Sequence, residues 1–159
     1  MFRKMTRETQ GMSEAQIEKI LEKATSGVLS LIGDGGYAYG VPMSFCFHEG
    51  KIYFHGAKQG HKIDAILANN KVSFTVIATD NIIPEELTTY FRSVIVFGKI
   101  RISEDLDEKR QALQCIVDKY SHKYVKKGET EIERALPHVA VSILEIEHMT
   151  GKMSKEYVG

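Results

Sequence analysis

Residues 28–57 run VLSLIGDGGYAYGVPMSFCFHEGKIYFHGA, and this stretch decides the fold. Val28 to Ile32 is a short apolar run closed by Gly33-Asp34-Gly35-Gly36, a cluster that turns a chain. Tyr37 to Phe47 is rich in aromatic and β-branched residues, His48-Glu49-Gly50 turns the chain again, and Lys51 to Ala57 is a third run. Three strands at short spacing, joined by glycine-containing turns, predict an antiparallel meander. Pro42 sits inside the second run. It has no N–H to give a ladder, so it marks an edge strand or a bulge.

On the N-terminal side, residues 1–12 are polar and read as an arm. Ser13-Glu14-Ala15-Gln16 is a capping box, with Ser13 as N-cap and Gln16 at the third helical position. Ile17, Ile20, Leu21 and Ala24 follow i, i+3, i+4, i+7 spacing, which predicts a helix over about 14–24, stopped by Gly27. On the C-terminal side, Gly60-His61-Lys62 opens a segment with Ile63, Ile66 and Leu67 on one helical face, and Asn69-Asn70 closes it. Lys71 to Ala78 returns to strand, and 80–88, with Pro84 and its acidic residues, reads as a loop. Thr89 to Ser103 is a long strand in which Ile100 and Ile102 alternate with polar residues. Gly98 within it marks a bulge or a close backbone approach. Asp105 to Ser121 is helical, with Leu113, Ile116, Val117 and Tyr120 on one face. Residues 122–137 are charged and irregular, and Val139 to Ile146 is a last, central strand. Helices need a sheet to cover, and many short antiparallel strands favour a barrel. The expected fold is a single α+β domain, mainly β, built around an antiparallel barrel.

The chain has 159 residues, with 21 Lys plus Arg against 21 Asp plus Glu. A net charge of zero argues against a broad polyanion-binding surface, and hence against nucleic acid. A hydrophobic fraction of 43% suffices for a core. No apolar run approaches the roughly 20 residues that span a bilayer. Met1-Phe2-Arg3-Lys4 is basic but no apolar segment follows, so no signal peptide is expected. Cys46 and Cys115 do not make a disulfide framework and suggest a reducing compartment. Together these features point to a soluble cytoplasmic protein.

Three segments carry candidate chemistry. His55-Gly56-Ala57-Lys58-Gln59-Gly60-His61-Lys62 joins a strand end to a helix start. Its glycines admit close backbone approach, and the helix N-terminus offers unpaired N–H groups. With Lys58, His61 and Lys62 this makes a cradle for a phosphate or carboxylate; the alternative is a turn with solvated lysines. Val41-Pro42-Met43-Ser44-Phe45 leaves backbone groups free to face a heterocycle, unless it is an ordinary edge strand. Tyr90-Phe91-Arg92-Ser93-Val94-Ile95-Val96-Phe97-Gly98 places Arg92 in an apolar strand. A charge there reaches a rim, or it meets an anion, a carboxylate or another subunit. The histidines show no H-E-x-x-H spacing and the cysteines no C-x-x-C, so no metal site is expected. Neither a G-x-S-x-G elbow nor a G-x-G-x-x-G fingerprint is present.

These segments, in this order, resemble the flavin-binding split-barrel superfamily of pyridoxamine-phosphate oxidase-like proteins. Within it they are most similar to the nitroimidazole-resistance, or Nim-type, branch. The resemblance runs from Arg3-Lys4 through Gly40 to Phe45, Ile52 to Ala57, Gly60-His61-Lys62 with Asn69-Asn70, and Tyr90 to Gly98. It ends at Ile146-Glu147-His148-Met149-Thr150-Gly151-Lys152. It implies a six-stranded antiparallel split β-barrel of Greek-key type with flanking helices, forming a homodimer with FMN sites at its interface. Carried over, Val41, Pro42, Met43, Ser44 and Phe45 line the isoalloxazine ring. His55, Gly56 and Ala57 follow the flavin's other contacts. Gly60, His61 and Lys62 hold the phosphate, and Arg92 and Ser93 approach from the later strand or across the dimer. His61 stands where arginine is common, and Met153 where an aromatic is common. His55 matches a histidine proposed to act near the substrate. The implied activity is NAD(P)H-dependent reduction, through FMN, of small acceptors such as nitroaromatic compounds. The alternative is a non-catalytic flavin- or haem-binding split barrel, in which His55 or His61 serves an iron.

Overall fold

The computed structural model describes residues 1–159. Helix α1 (Glu14–Lys23) begins where the capping box places it: Ser13 Oγ accepts from the Gln16 N–H, and the Gln16 side chain accepts from the Ser13 N–H. Ile17 and Leu21 are its buried face. Seven strands follow as β1 (Gly27–Ile32), β2 (Ala38–Met43), β3 (Cys46–His48), β4 (Lys51–Ala57), β5 (Lys71–Ile83), β6 (Thr88–Ile102) and β7 (Val139–Met153). Helix α2 (His61–Ala68) links β4 to β5, and helices α3 (Leu106–Ser121) and α4 (Val125–Ala135) lie between β6 and β7.

All pairings are antiparallel, in the order β2-β1-β5-β6-β7-β4-β3. Strands β5, β6 and β7 are neighbours and β4 returns beside β7, which is the Greek-key arrangement. The sheet curls around one core but does not close, so this is a split barrel of seven strands where six were expected. The extra strand arises because the run Tyr37–Phe47 breaks at Ser44 and Phe45 into β2 and β3, which lie at opposite ends of the sheet. Pro42 is on the edge strand β2, as its missing N–H requires.

Inside the barrel, Phe45, Phe54 and Phe74 are fully buried and meet edge to face, with centroids 4.8 and 5.1 Å apart. Gly98 lies at the β6–β7 register shift, and a Cβ there would collide with the Glu145 carbonyl. A second apolar cluster packs α3 and α4 on the outside, through Ala112, Leu113, Ile132, Leu136, Val141 and Ile143.

Four expectations are corrected. Residues 80–88 are not simply a loop: the ladder runs on to Ile83 opposite Thr88, and only the tip at Pro84–Leu87 is turn. Residues 122–137 are not irregular but contain α4, which packs Gly128 and Ile132 against α3. Strand β7 continues past Ile146 to Met153. Finally, Cys46 and Cys115 form a disulfide that ties β3 to α3 across 69 residues. That bond removes the thiol argument for a reducing compartment. No helix is long and apolar enough to cross a membrane.

Candidate functional site

The corner between β4 and α2 is built from a strand whose last residues leave the core and from one glycine. On β4, Ile52, Tyr53 and Phe54 are buried, while His55 and Ala57 face outward. Gly60 then takes φ 129°, a conformation that disfavours a side chain, and turns the chain directly into α2. No side chain caps that helix start, so its first N–H groups stay open, with the positive end of the helix dipole behind them.

Lys62 organises the corner. Its Nζ is 3.5 Å from Met43 Sδ on β2 and 3.1 Å from where a Cβ on Gly56 would stand. The ammonium therefore bridges the edge strand β2 and the end of β4 beyond its pairing with β3, and a side chain on residue 56 would displace it. His55 lies close by. Burial and then the positive charge of Lys62 lower its pKa, so the neutral imidazole is favoured. Val41 and Met43 point toward the core, and Pro42 and Ser44 point outward from the same edge strand. Lys62, Gly56, His55 and the β2 edge thus form one shelf, with a cation at the junction and an outward peptide edge beside it.

Three of the expected site residues make other contacts within the chain. Phe45 is fully buried in the core, so its ring lines no open surface. Its N–H donates to Tyr120 Oη at 2.9 Å, and its carbonyl accepts from Lys119 Nζ at 3.1 Å. His61 stacks on Tyr39 at 4.1 Å, and its Nε2 accepts the Asp34 N–H at 3.1 Å, which ties it to the 33–36 turn. Arg92 shares the core-facing side of β6 with Val94 and Val96 and emerges at the barrel mouth, where the Tyr157 ring lies 3.6 Å from its guanidinium. Ser93, by alternation, faces outward. Arg92 lines a cleft that includes no residue of 41–45 or 55–62, so one chain does not bring it to the shelf. Lys119 and Tyr120 pin Phe45 at the end of the β2 edge; the sequence offered Tyr120 only as part of an ordinary helix face and gave no signal for Lys119.

The fold and the shelf together define a class: an antiparallel split barrel with a cationic strand-to-helix corner. The chain belongs to the pyridoxamine 5'-phosphate oxidase family, whose model matches residues 13–153. Among solved structures it is similar to a candidate 5-nitroimidazole antibiotic resistance protein from Bacteroides thetaiotaomicron. The two share 27% identity over 90% of this chain and 86% of that one, with a TM-score of 0.75. A conserved hypothetical protein from Mycobacterium tuberculosis shares the fold, with 17% identity over 96% and 92% of the two chains and a TM-score of 0.83. So does an FAD- and haem-binding protein from Mycobacterium smegmatis, with 18% identity over 92% and 74% and a TM-score of 0.80. No curated protein sequence matches the chain.

Proposed function

We propose that this protein binds FMN on the shelf between β2, β4 and α2, as a homodimer, and works as an NAD(P)H-dependent reductase of small acceptors such as nitroaromatic compounds. The single observation that carries the reading is the position of the Lys62 ammonium, over Gly56 and beside the uncapped start of α2. A phosphate set there gains a charge-assisted contact and open N–H groups at once. The flavin ring would then lie along the outward edge at Pro42 and Ser44. Family membership and similarity to an FAD- and haem-binding protein support a flavin, and likeness to the Bacteroides protein supports the acceptor class. A bound flavin supplies the redox chemistry itself. The chain's own residues hold the phosphate (Lys62), shape the ring's edge (Pro42, Ser44) and present a neutral imidazole (His55). Pro42, Ser44 and His55 are exposed in the single chain, and a second copy would supply the wall over them.

The test is the visible spectrum of the purified protein, before and after adding FMN, with the released flavin identified by mass. Bound FMN, and NADH or NADPH oxidation that quickens when a nitroaromatic is added, is the expected result. A protein that stays colourless with FMN ends the reading, and a Soret band on haem titration without flavin uptake replaces it with haem binding.

A further inference from the structure

We propose that the cleft between α1 and the β5–β6 hairpin is a second anion site, built for a small molecule that carries a phosphate monoester on an apolar body. The cleft encloses about 620 Å³, within the usual range of small-ligand pockets. Lys19, Lys23 and Arg92 line it and no aspartate or glutamate does, in a chain whose acidic and basic residues are equal in number. Met12, Ile20, Ile77 and Met153 supply apolar wall.

Arg92 makes this more than a face of solvated lysines. It is half-buried, and Tyr157 covers one face of its guanidinium. Yet it takes part in none of the chain's ion pairs and donates no hydrogen bond to protein. Guanidinium groups brought out of water are ordinarily paired. Arg101, on the same strand, shows the ordinary case, gripping Glu108 with two bonds of 2.7 and 2.8 Å. Stacking on Tyr157 fixes the plane of Arg92 and leaves its N–H fork free for an oxyanion, the geometry in which arginine binds phosphate. Lys19 and Lys23 stand one turn apart on α1, where like charges repel unless an anion joins them. Three cations suit a dianion better than a carboxylate.

This site is separate from the Lys62 shelf and does not depend on the flavin reading. The experiment therefore uses isotopically labelled protein after FMN has been added to saturation, so that any flavin phosphate site is already filled. Phenyl phosphate, benzoate and benzyl alcohol are titrated in turn and followed by amide NMR shifts. The expected result is saturable binding of phenyl phosphate, with shifts centred on Lys19, Lys23, Thr79 and Arg92. Benzoate should bind more weakly and benzyl alcohol not at all. Arg92→Gln should cost about tenfold or more in affinity, the scale of one hydrogen bond to a charged group. The exposed double variant Lys19→Gln/Lys23→Gln, which disturbs no packing, should lose a similar factor. Absence of saturation, equal binding of benzyl alcohol, an affinity unchanged in both variants, or shifts confined to residues 55–62 would each overturn the proposal. Failure of FMN uptake leaves this titration intact and bears only on the flavin shelf.

Discussion

Lys62 is the side chain on which the flavin reading turns, because it holds a charge between two strands at an uncapped helix start. Lys62→Ala should weaken FMN binding by roughly 1.5–3 kcal/mol, the scale of a hydrogen bond to a charged group. Riboflavin, which has no phosphate, should lose far less, and quenching of flavin fluorescence measures both. His55 offers an independent readout. Burial first, and Lys62 second, hold its pKa below the usual histidine value. Lys62→Ala should therefore move the His55 titration upward, and so should a bound phosphate, as followed by the imidazole carbon-proton resonances against pH; no movement in either case would separate His55 from the shelf. The sequence made Gly60, Lys62 and Gly98 legible, because each is a local demand: a helix start, a cation on it, a glycine inside a strand pattern. It did not show that His61 turns to Asp34 and Tyr39, or that Phe45 turns inward, because those depend on which way a side chain leaves an edge.

Helix α3 fastens the outer layer to the end of the β2 edge, and it does so in three ways. Cys115 is bonded to Cys46, Tyr120 Oη bonds both backbone groups of Phe45, and Lys119 Nζ donates to the carbonyls of Phe45 and Leu21. Cys115→Ser should lower unfolding stability by about 2–4 kcal/mol, since the bond closes a long loop in the unfolded chain; thiol titration of the unreduced wild type should find no free cysteine. Lys119 should leave a signature in pH. Burial lowers its pKa to about 8 from an unfolded value of 10.5. Between those values the unfolded chain binds more protons than the folded one, so this group's contribution to stability rises as pH climbs through the window. Denaturant melts at pH 7.5 and 10 should show a gain in wild type relative to Lys119→Met; equal pH slopes would contradict it. Elements with strong local signals were readable, including the α1 capping box, the alternation about Ile100 and Ile102 in β6 and the apolar face of α3. The disulfide was not, since 69 residues separate its cysteines and only the packing of β3 against α3 brings them together. Nor was α4, because no side chain caps its start, a glycine stands at 128 within it and charged residues fill its outer face. The far half of the β5–β6 hairpin carries Asp80, Asn81, Pro84, Glu85 and Glu86, turn-forming residues that the ladder overrides through Ile82–Thr89 and Ile83–Thr88 pairing.

That hairpin also bears on the assembly. Beyond the Arg92–Met153 pair and the Ser154 N–H bond to the Phe91 carbonyl, residues 80–90 pair only within the β5–β6 hairpin, so the two strands project past the sheet. The projection carries Ile82, 68% exposed, and Leu87, 95% exposed. Exposed apolar residues on a projecting, two-sided hairpin fit contact with a second copy, which is the wall the flavin shelf lacks. Leu87 sharpens the test because it holds a left-handed backbone conformation, φ 51° and ψ 39°, which leucine disfavours and asparagine tolerates. If Leu87 served only the fold of one chain, Leu87→Asn would relieve strain and cost nothing. As part of a dimer contact, the same change should leave the secondary structure intact while weakening association. Light scattering should give twice the 17.9 kDa chain mass for wild type and a smaller, concentration-dependent mass for Ile82→Lys/Leu87→Asn. FMN retention should fall in parallel although Lys62 is untouched. A wild-type monomer that still retains FMN would show that the shelf binds flavin without a partner, and the dimer would drop out of the account.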